Sequence, residues 1–237
     1  MDYKKYNKDS NISFTFGAFP TYEILITKPH QVKEIVLHDK LEHSEDILKI
    51  INIAKQNKIH ITTNSKAIEK LSDKGNVYIM GVFEKYNQTC NHNENQVLLV
   101  NPSDMGNLGT IIRVMLGFNY TNLAIIKPCV DIFNPKVIRA SMGSIFSMNI
   151  ELFDSIEDYL NKNKNPKFPF MLQTNTPLHS IAQKPQPHTL IFGNEAHGLD
   201  KQYLSIGTPL IIEHSNKIDS LNLSMSVGIA LYEFSKK

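Results

Sequence analysis

The sequence predicts an α/β protein whose C-terminal part is built on a parallel sheet. Short apolar runs of strand length alternate with amphipathic helical runs along most of the chain. A polar, Asn-rich stretch without periodicity divides this alternation in two. The length of 237 residues and the hydrophobic content of 41% suffice for buried cores without disulfides. We therefore expect an N-terminal extension over residues 1–20, a small α/β domain over 21–84, a linker over 85–96 and a larger domain over 97–237.

The spacing of apolar residues predicts each element of the small domain. Residues 1–20 show no regular pattern and are expected to be loosely ordered. A helix is predicted over residues 44–58, because Ser44 is a good N-cap and one helical face carries the apolar residues Ile47, Leu48, Ile51 and Ala54. Apolar runs predict strands over residues 34–37, 59–62 and 77–83, and a short helix is predicted over 65–71.

The larger domain shows the same alternation. Strands are predicted over residues 97–100, 123–126, 168–172, 190–192 and 210–212, and helices over 108–116, 135–142, 156–161 and 221–234. Strands separated by helices pair in parallel, and ligands bind at the carboxyl ends of parallel strands. The loops that follow the strands are therefore where we expect a functional site.

Composition excludes several classes of protein. No apolar run approaches the ~18 residues of a membrane span, and the polar first residues do not form a secretory signal, so we expect a cytoplasmic protein without membrane contact. Cys90 and Cys129 lack metal-ligand spacing, so we expect no disulfide scaffold and no metal site. The net charge of +2 means that any RNA site is a local patch and not the whole surface.

The loop after the first strand of the larger domain opens a helix. Leu108, Ile111 and Ile112 form the buried stripe of this helix, and Arg113 projects off the packed face. Asn107 is the predicted N-cap. Taken alone, this pattern is better explained by a capped helix with a surface arginine.

Two later loops carry further polar groups. The first follows the predicted strand over residues 190–192, and its Gly193 permits close backbone approach while Glu195 places a carboxylate at the strand end. His197 in the same loop is a candidate acid or base, although a lone loop histidine is usually solvated. The second loop leads to the terminal helix, where Ser220 is the predicted N-cap.

Taken together, the three loops resemble the motifs of the TrmH/SpoU family of SPOUT RNA 2′-O-ribose methyltransferases. The matching motifs are Asn107-Leu108-Gly109-x-x-x-Arg113, Gly193-Asn194-Glu195-Ala196-x-Gly198-Leu199 and Ser220-Leu221-Asn222-x-Ser224, and residues 129–144 are also typical. The resemblance covers about residues 97–235. Met105 departs from it, because many members have proline there. Residues 20–84 resemble the family's substrate-binding domain more weakly.

The resemblance implies transfer of a methyl group from S-adenosylmethionine to a ribose 2′-hydroxyl of structured RNA, either ribosomal or transfer RNA. It also implies a deep trefoil knot near the C-terminus and a homodimer formed through the terminal helix. The small residues of that helix, among them Ser224, Ser226 and Gly228, suit close approach.

The resemblance also assigns roles to residues. The cofactor is expected against Leu172, Gly193, Ile212 and Leu221. The expected catalytic residues are Arg113, Asn107, Glu195, Ser220 and Asn222. Because arginine stays protonated, Arg113 is better suited to gripping a phosphate and orienting the ribose than to acting as a base. Asn107 is expected to hold Arg113 and the helix start, Glu195 to order its own loop, and Ser220 and Asn222 to shape the pocket.

The small domain is expected to bind RNA by recognising the shape and the sugar-phosphate backbone of the RNA. The candidate phosphate contacts are Lys28, Lys33, Lys66 and Lys70, although a lysine of this kind is usually just solvated.

Two alternatives remain open. A non-catalytic RNA-binding protein on the same fold would lack cofactor binding, and the intact Asn107, Arg113, Glu195 and Asn222 argue against it. A nucleotide-binding enzyme could use the turn between Gly106 and Gly109, but no Walker lysine follows that turn.

Overall fold

The structure is a computed structural model that describes residues 3–42 and 44–236. Positions 1 and 2 of the predicted extension and position 237 of the predicted larger domain lie outside the described residues. The chain divides into two compact units. The first unit contains the chain up to Tyr86 together with Asp131–Ser147, and the second contains Asn87–Val130 and the chain from Met148 onward.

The first unit is a mixed four-stranded sheet with helices. Its strands and helices are β1 (Ile12–Phe16), α1 (Ala18–Thr27), β2 (Val32–Leu37), α2 (Glu45–Gln56), β3 (His60–Thr63), α3 (Ser65–Leu71), β4 (Ile79–Glu84) and α5 (Pro135–Ala140). The strand order is β1-β4-β2-β3, in which only β2 and β3 pair in parallel. The predicted cap of α2 is confirmed, because the Ser44 side chain accepts a hydrogen bond from the N–H of Ile47. The predicted apolar face is wrong for Leu48, which is 47% exposed, whereas Ile47 and Ala54 are buried.

The prediction that residues 1–20 are loosely ordered is wrong for β1. This strand pairs with β4 over its full length. Its sequence hides the signal because polar Ser13 and Thr15 are fully buried, where strand alternation would leave them exposed. Both hydroxyls are satisfied, since Ser13 donates to the carbonyl of Phe133 at 2.6 Å and Thr15 bonds to Thr21 at 2.7 Å.

The second unit is a five-stranded sheet that is parallel throughout, which confirms the predicted α/β class. Its elements are β5 (Gln96–Val100), α4 (Met105–Gly117), β6 (Asn122–Ile126), β7 (Asn149–Phe153), α6 (Ile156–Lys162), β8 (Lys167–Pro169), β9 (Thr189–Phe192) and α7 (Leu223–Ser235). The strand order is β7-β6-β5-β9-β8. The chain before β5 is packed rather than free, because Cys90 is buried and its N–H donates to Glu151.

The predicted strand over residues 210–212 is absent from the sheet. Leu210 and Ile211 instead form single parallel bridges, with Phe170 and Pro177 respectively. The segment is extended and hydrogen-bonded but too short to make a ladder.

Two predicted helix caps are wrong by two or three residues. The N-cap of α4 is Asp104, whose carboxylate accepts from the N–H of Asn107 at 2.7 Å, so Asn107 lies inside the helix. The N-cap of α7 is Asn222, not Ser220. In each case an Asx side chain placed next to the first helical residue caps it better than the predicted residue.

Within residues 3–42 and 44–236, no helix is long and apolar enough to cross a membrane. The same described residues contain no cluster of three His, Cys, Asp or Glu side chains that could hold a metal ion.

Candidate active site at the carboxyl ends of β5 and β9

The candidate site lies where the strand order of the second unit reverses. From β5 the chain proceeds outward to β6 and β7, whereas β9 and β8 lie on the other side of β5. Parallel sheets bind ligands in the crevice that such a reversal opens at the carboxyl ends of the strands. The loops after Val100 and Phe192 flank this crevice, and they carry the first and second motifs.

The loop after β9 is folded tightly on itself. The N–H of Asn194 donates to the carbonyl of Gly198 at 3.2 Å, and the reverse bond measures 2.9 Å. A Cβ added to Gly193 would lie 2.1 Å from the carbonyl carbon of Gly198. Only glycine fits at position 193, so the loop backbone itself forms the wall of the site.

The Glu195 carboxylate joins this loop to the loop after β5. One carboxylate oxygen accepts from both the N–H and the hydroxyl of Ser103, at 3.0 and 2.9 Å. The other oxygen accepts from the N–H of Asp104 at 3.2 Å. Glu195 was expected to order its own loop, and its carboxylate does accept from the Asn194 amide at 3.5 Å. Its bonds to Ser103 and Asp104 also join this loop to the loop that leads to the first motif.

The environment of Glu195 favours its charged form. Partial burial works to raise the pKa of this carboxyl group. The N–H and hydroxyl of Ser103 and the N–H of Asp104 outweigh that effect, and the pKa lies below its ordinary value of 4.5. Glu195 is therefore ionised at neutral pH and joins the two loops as a carboxylate.

Asn107 and Asn222 connect the first motif to the third. The amide of Asn222 donates to the Asn107 side-chain oxygen at 3.1 Å, and the Asn107 amide reaches Glu195 at 3.5 Å. The Asn222 oxygen accepts from the N–H groups of Ser224 and Met225 as the cap of α7. Three of the predicted catalytic residues thus form one hydrogen-bonded chain.

Arg113 stands apart from that chain. Its side chain is exposed and makes no hydrogen bond or ion pair with any residue that the structure describes. Asn107 bonds to Glu195 and Asn222 and does not hold Arg113, contrary to expectation. The guanidinium remains available for an external anion.

A cavity of about 300 Å³ lies beside the tethered loops. All four residues expected at the cofactor line it, namely Leu172, Gly193, Ile212 and Leu221. Glu195, Ser220 and His197 line it as well. His197 is exposed, and the Ser220 side chain has no hydrogen-bond partner in the described chain.

No role was predicted from the sequence for Ser103, Asp104 or Asn194, although Asn194 belongs to the second motif. Asn194 fixes the start of its loop, because its amide donates to the carbonyl of Asn101 at 2.7 Å and its oxygen accepts from the N–H of Ala196 at 2.8 Å. Ser103 and Asp104 immediately precede the first motif, so their polar side chains at a strand end were the available signal.

Comparisons with known proteins place the sequence in a family. The family model described as the SpoU rRNA Methylase family matches residues 94–232. An uncharacterised tRNA/rRNA methyltransferase of Synechocystis is 31% identical over 140 residues, which is 55% of this chain and 48% of that protein. The tRNA (cytidine/uridine-2′-O-)-methyltransferase TrmJ of Citrobacter koseri is 27% identical, over 58% of this chain and 62% of that protein. The chain spans about half the length of the first of these relatives.

Solved structures show the same fold over nearly the whole chain. An AdoMet-bound rRNA methyltransferase from Sinorhizobium meliloti superimposes with a TM-score of 0.80 and 22% identity, covering 94% of this chain and 87% of that one. The SpoU methyltransferase AviRb from Streptomyces viridochromogenes, in complex with AdoMet, gives a TM-score of 0.81 and 18% identity, covering 95% and 90%. These likenesses concern the fold, while the family model covers more than half of the sequence. The chain therefore belongs to the SpoU rRNA methylase family.

Proposed function

We propose that this protein transfers a methyl group from S-adenosylmethionine to a ribose 2′-hydroxyl of ribosomal or transfer RNA. One observation carries the proposal: Glu195, Asn107 and Asn222 tie the three motif loops together beside a cavity of about 300 Å³. The family to which the chain belongs makes this arrangement that of a methyltransferase.

The cavity suits S-adenosylmethionine in size and lining. Its volume lies at the lower end of the range of about 300–1,000 Å³ for small-molecule sites. Leu172, Ile212 and Leu221 supply apolar walls, and the backbone at Gly193 comes close enough to leave no room for a Cβ. Such walls would hold a flat heterocycle, while exposed N–H and C=O groups orient its polar edge.

The cofactor, when bound, supplies a methyl group on a cationic sulfur with a good leaving group. What this chain must add is alignment of the ribose and support for loss of the hydroxyl proton. We assign Arg113 to gripping a phosphate and orienting the ribose, because its guanidinium is exposed, unpaired within the described chain and permanently protonated. A phosphate oxygen beside the ribose would then accept the proton.

The remaining motif residues act by positioning. Glu195 holds the loop after β5 in place through charge-assisted hydrogen bonds, and Asn107 and Asn222 hold α4 against the start of α7. Ser220 lines the cavity, and its hydroxyl has no partner within residues 3–42 and 44–236, so it is free to contact the cofactor or the RNA.

The proposal includes a trefoil knot in the C-terminal part of the second unit. It is supported by the bridges of Leu210 and Ile211 to Phe170 and Pro177, which bring segments distant in sequence together. The tight loop between Asn194 and Gly198 lies along the same cavity.

The first unit is proposed to hold the RNA substrate. Of the four lysines expected to contact phosphate, Lys33 is paired with Glu84 at 2.6 Å and Lys28 lies over the ring of Tyr86 at 5.6 Å. Lys66 and Lys70 form no pair with any group in residues 3–42 and 44–236, and they are the better candidates.

We also propose a homodimer that covers an apolar face of α7. Met225, Ile229 and Tyr232 follow one another at helical spacing and are 61%, 37% and 58% exposed. A stripe of this kind on a terminal helix is expected to be buried against a second copy of the chain.

The test is methyl transfer from tritiated S-adenosylmethionine to separate pools of unmethylated ribosomal and transfer RNA. We expect label in one pool, loss of label with Arg113→Ala, and only partial recovery with Arg113→Lys, which keeps the charge but not the planar fork. Analysis of the digested RNA must place the methyl on the ribose. Absence of both label and calorimetric cofactor binding would leave a non-catalytic RNA-binding protein.

A further inference from the structure

Arginine is rare in this chain, and one of its arginines has no role in the proposed site. Of the 25 basic side chains, only Arg113 and Arg139 are arginines, and the rest are lysines. Arg113 lies on α4 of the second unit, whereas Arg139 lies on α5, which packs within the first unit. The planar, five-donor fork of arginine binds phosphate in a bidentate manner that lysine cannot reproduce.

Arg139 lines a cleft of about 230 Å³ within the first unit. Lys136 precedes it by three residues on the same helix, so the two side chains share a face. Lys5, from the chain before β1, lines the cleft from a part of the sequence more than 130 residues away. The fold thus gathers three cations from two separate segments around one cavity.

Most of this positive charge is not neutralised inside the molecule. Lys136 is 3.7 Å from Asp73, the one acidic side chain among the residues lining the cleft. Both partners are more than half exposed, at 57% and 67%, so the pair is weak. Arg139 and Lys5 form no ion pair or hydrogen bond through their side chains within the described chain.

The walls of the cleft are held in place. Tyr6 donates a hydrogen bond from its hydroxyl to Asp131, and Lys85 lies over its ring at 4.7 Å. Phe16 and Leu71 are buried and close the floor. Fixed walls and unpaired cations give a site that can accept an anion with little rearrangement.

We propose that Lys5, Lys136 and Arg139 bind backbone phosphates of the RNA substrate in this cleft. The proposal rests on the proposed function, because it names a further contact for the same RNA. An RNA backbone fits better than other anions, since it offers successive phosphates to the three cations that line the cleft. The net charge of +2 also requires any RNA contact to be a local patch of this kind.

The experiment measures binding of a short fluorescein-labelled stem-loop RNA by fluorescence anisotropy over a range of KCl concentrations. We expect Arg139→Ala to weaken binding about tenfold and to reduce the slope of log K against log salt by about one. Arg139→Lys is expected to fall between Arg139→Ala and the unaltered protein. Asp73→Asn is expected to tighten binding, because it removes the competing carboxylate. The matched control is Lys55→Ala, an exposed and unpaired lysine at the end of α2.

The tighter RNA binding expected for Asp73→Asn cannot result from misfolding of that variant, since unfolding does not increase affinity. Unchanged affinity and salt slope in Arg139→Ala would overturn the proposal, and so would an equal loss in Lys55→Ala. Competition by inorganic phosphate or polyglutamate as effective as unlabelled RNA would also overturn it, in favour of a general anion site.

Methyl transfer and calorimetric cofactor binding on the same samples separate the two proposals. If the unaltered protein methylates RNA and Arg139→Ala binds RNA normally, the proposal of RNA binding in the cleft is wrong and the proposed methyltransferase function is supported. If RNA affinity depends on Arg139 but no methyl transfer or cofactor binding occurs, the cleft stands and the methyltransferase fails.

Discussion

At the scale of single residues, Glu195 shows how one side chain assembles a site from distant loops. Its carboxylate accepts hydrogen bonds from two backbone N–H groups and one hydroxyl of the loop after β5. Carboxylate oxygens only accept hydrogen bonds, and all three of these neighbouring groups are donors. A side-chain amide at position 195 could not accept all of these hydrogen bonds, because its NH₂ group is a donor and would face another donor.

Glu195→Gln is therefore expected to lower the free energy of unfolding by about 1–2 kcal/mol and to weaken cofactor binding. Glutamine keeps the size of the side chain, but its NH₂ group must oppose either Ser103 or the N–H of Asp104. Urea denaturation and calorimetry measure the two effects. Glu42→Gln is the control and should change neither quantity, because Glu42 is exposed and its side chain makes no hydrogen bond to a residue that the structure describes. Equal stability of both variants would contradict the tether.

The same residue predicts a dependence of stability on pH. The pKa of Glu195 in the folded protein lies below its ordinary value of 4.5, so the native state stabilises the charged form. The stabilisation is complete above the unfolded-state pKa and is lost as the pH falls through the lowered folded-state pKa. The difference in unfolding free energy between the unaltered protein and Glu195→Gln should thus be constant near neutrality and shrink below about pH 4.5. Denaturation curves at successive pH values measure it, and a difference that grows in acid would refute the assignment.

At the scale of elements, the caps of α4 and α7 set where the motif side chains point. Asp104 caps α4, which leaves the Asn107 side chain free to bond with Asn222 and Glu195. Had Asn107 been the cap, its oxygen would have been occupied by the helix N–H groups. The displaced cap is thus what makes the connection between motifs possible.

The cap of α7 can be tested by a matched pair of substitutions. Asn222→Ala should lower the free energy of unfolding by about 1–2 kcal/mol, because the N–H groups of Ser224 and Met225 lose their acceptor. Ser220→Ala should leave stability nearly unchanged, since its hydroxyl has no partner in the described structure. Thermal denaturation compares them, and the reverse order of stability would restore Ser220 as the cap.

The elements also show what sequence can and cannot predict. The helix α2 follows from Ser44 and its apolar spacing, because a solvent-facing amphipathic helix is specified locally. The strand β1 was not predicted, because its Ser13 and Thr15 are polar yet buried. Their hydroxyls bond to Phe133 and Thr21, and Phe133 is distant in sequence. The local sequence pattern does not predict hydrogen-bond partners that are distant in sequence.

At the scale of the whole molecule, the sequence motifs locate the site, whereas the hydrogen bonds between motif loops depend on tertiary packing. The parallel sheet of the second unit follows from alternating strands and helices, and the order β7-β6-β5-β9-β8 opens the crevice at β5 and β9. The bond between Asn107 and Asn222 joins positions more than 100 residues apart. That Lys5 and Arg139 line one cleft likewise depends on the inclusion of Asp131–Ser147 in the first unit. Neither juxtaposition has a local signature.

The proposed homodimer gives a prediction for the complete assembly. An Ile229→Lys substitution places a charge in the middle of the exposed apolar face of α7, between Met225 and Tyr232. Burying that charge without a partner is costly, so the variant should sediment as a monomer while the unaltered protein sediments as a dimer. Its melting temperature should also lose the dependence on protein concentration that association confers. The control is Leu48→Lys, at a comparably exposed leucine of α2, which should leave the dimer intact. A monomeric unaltered protein, or dissociation by Leu48→Lys, would show that the α7 face is not the interface.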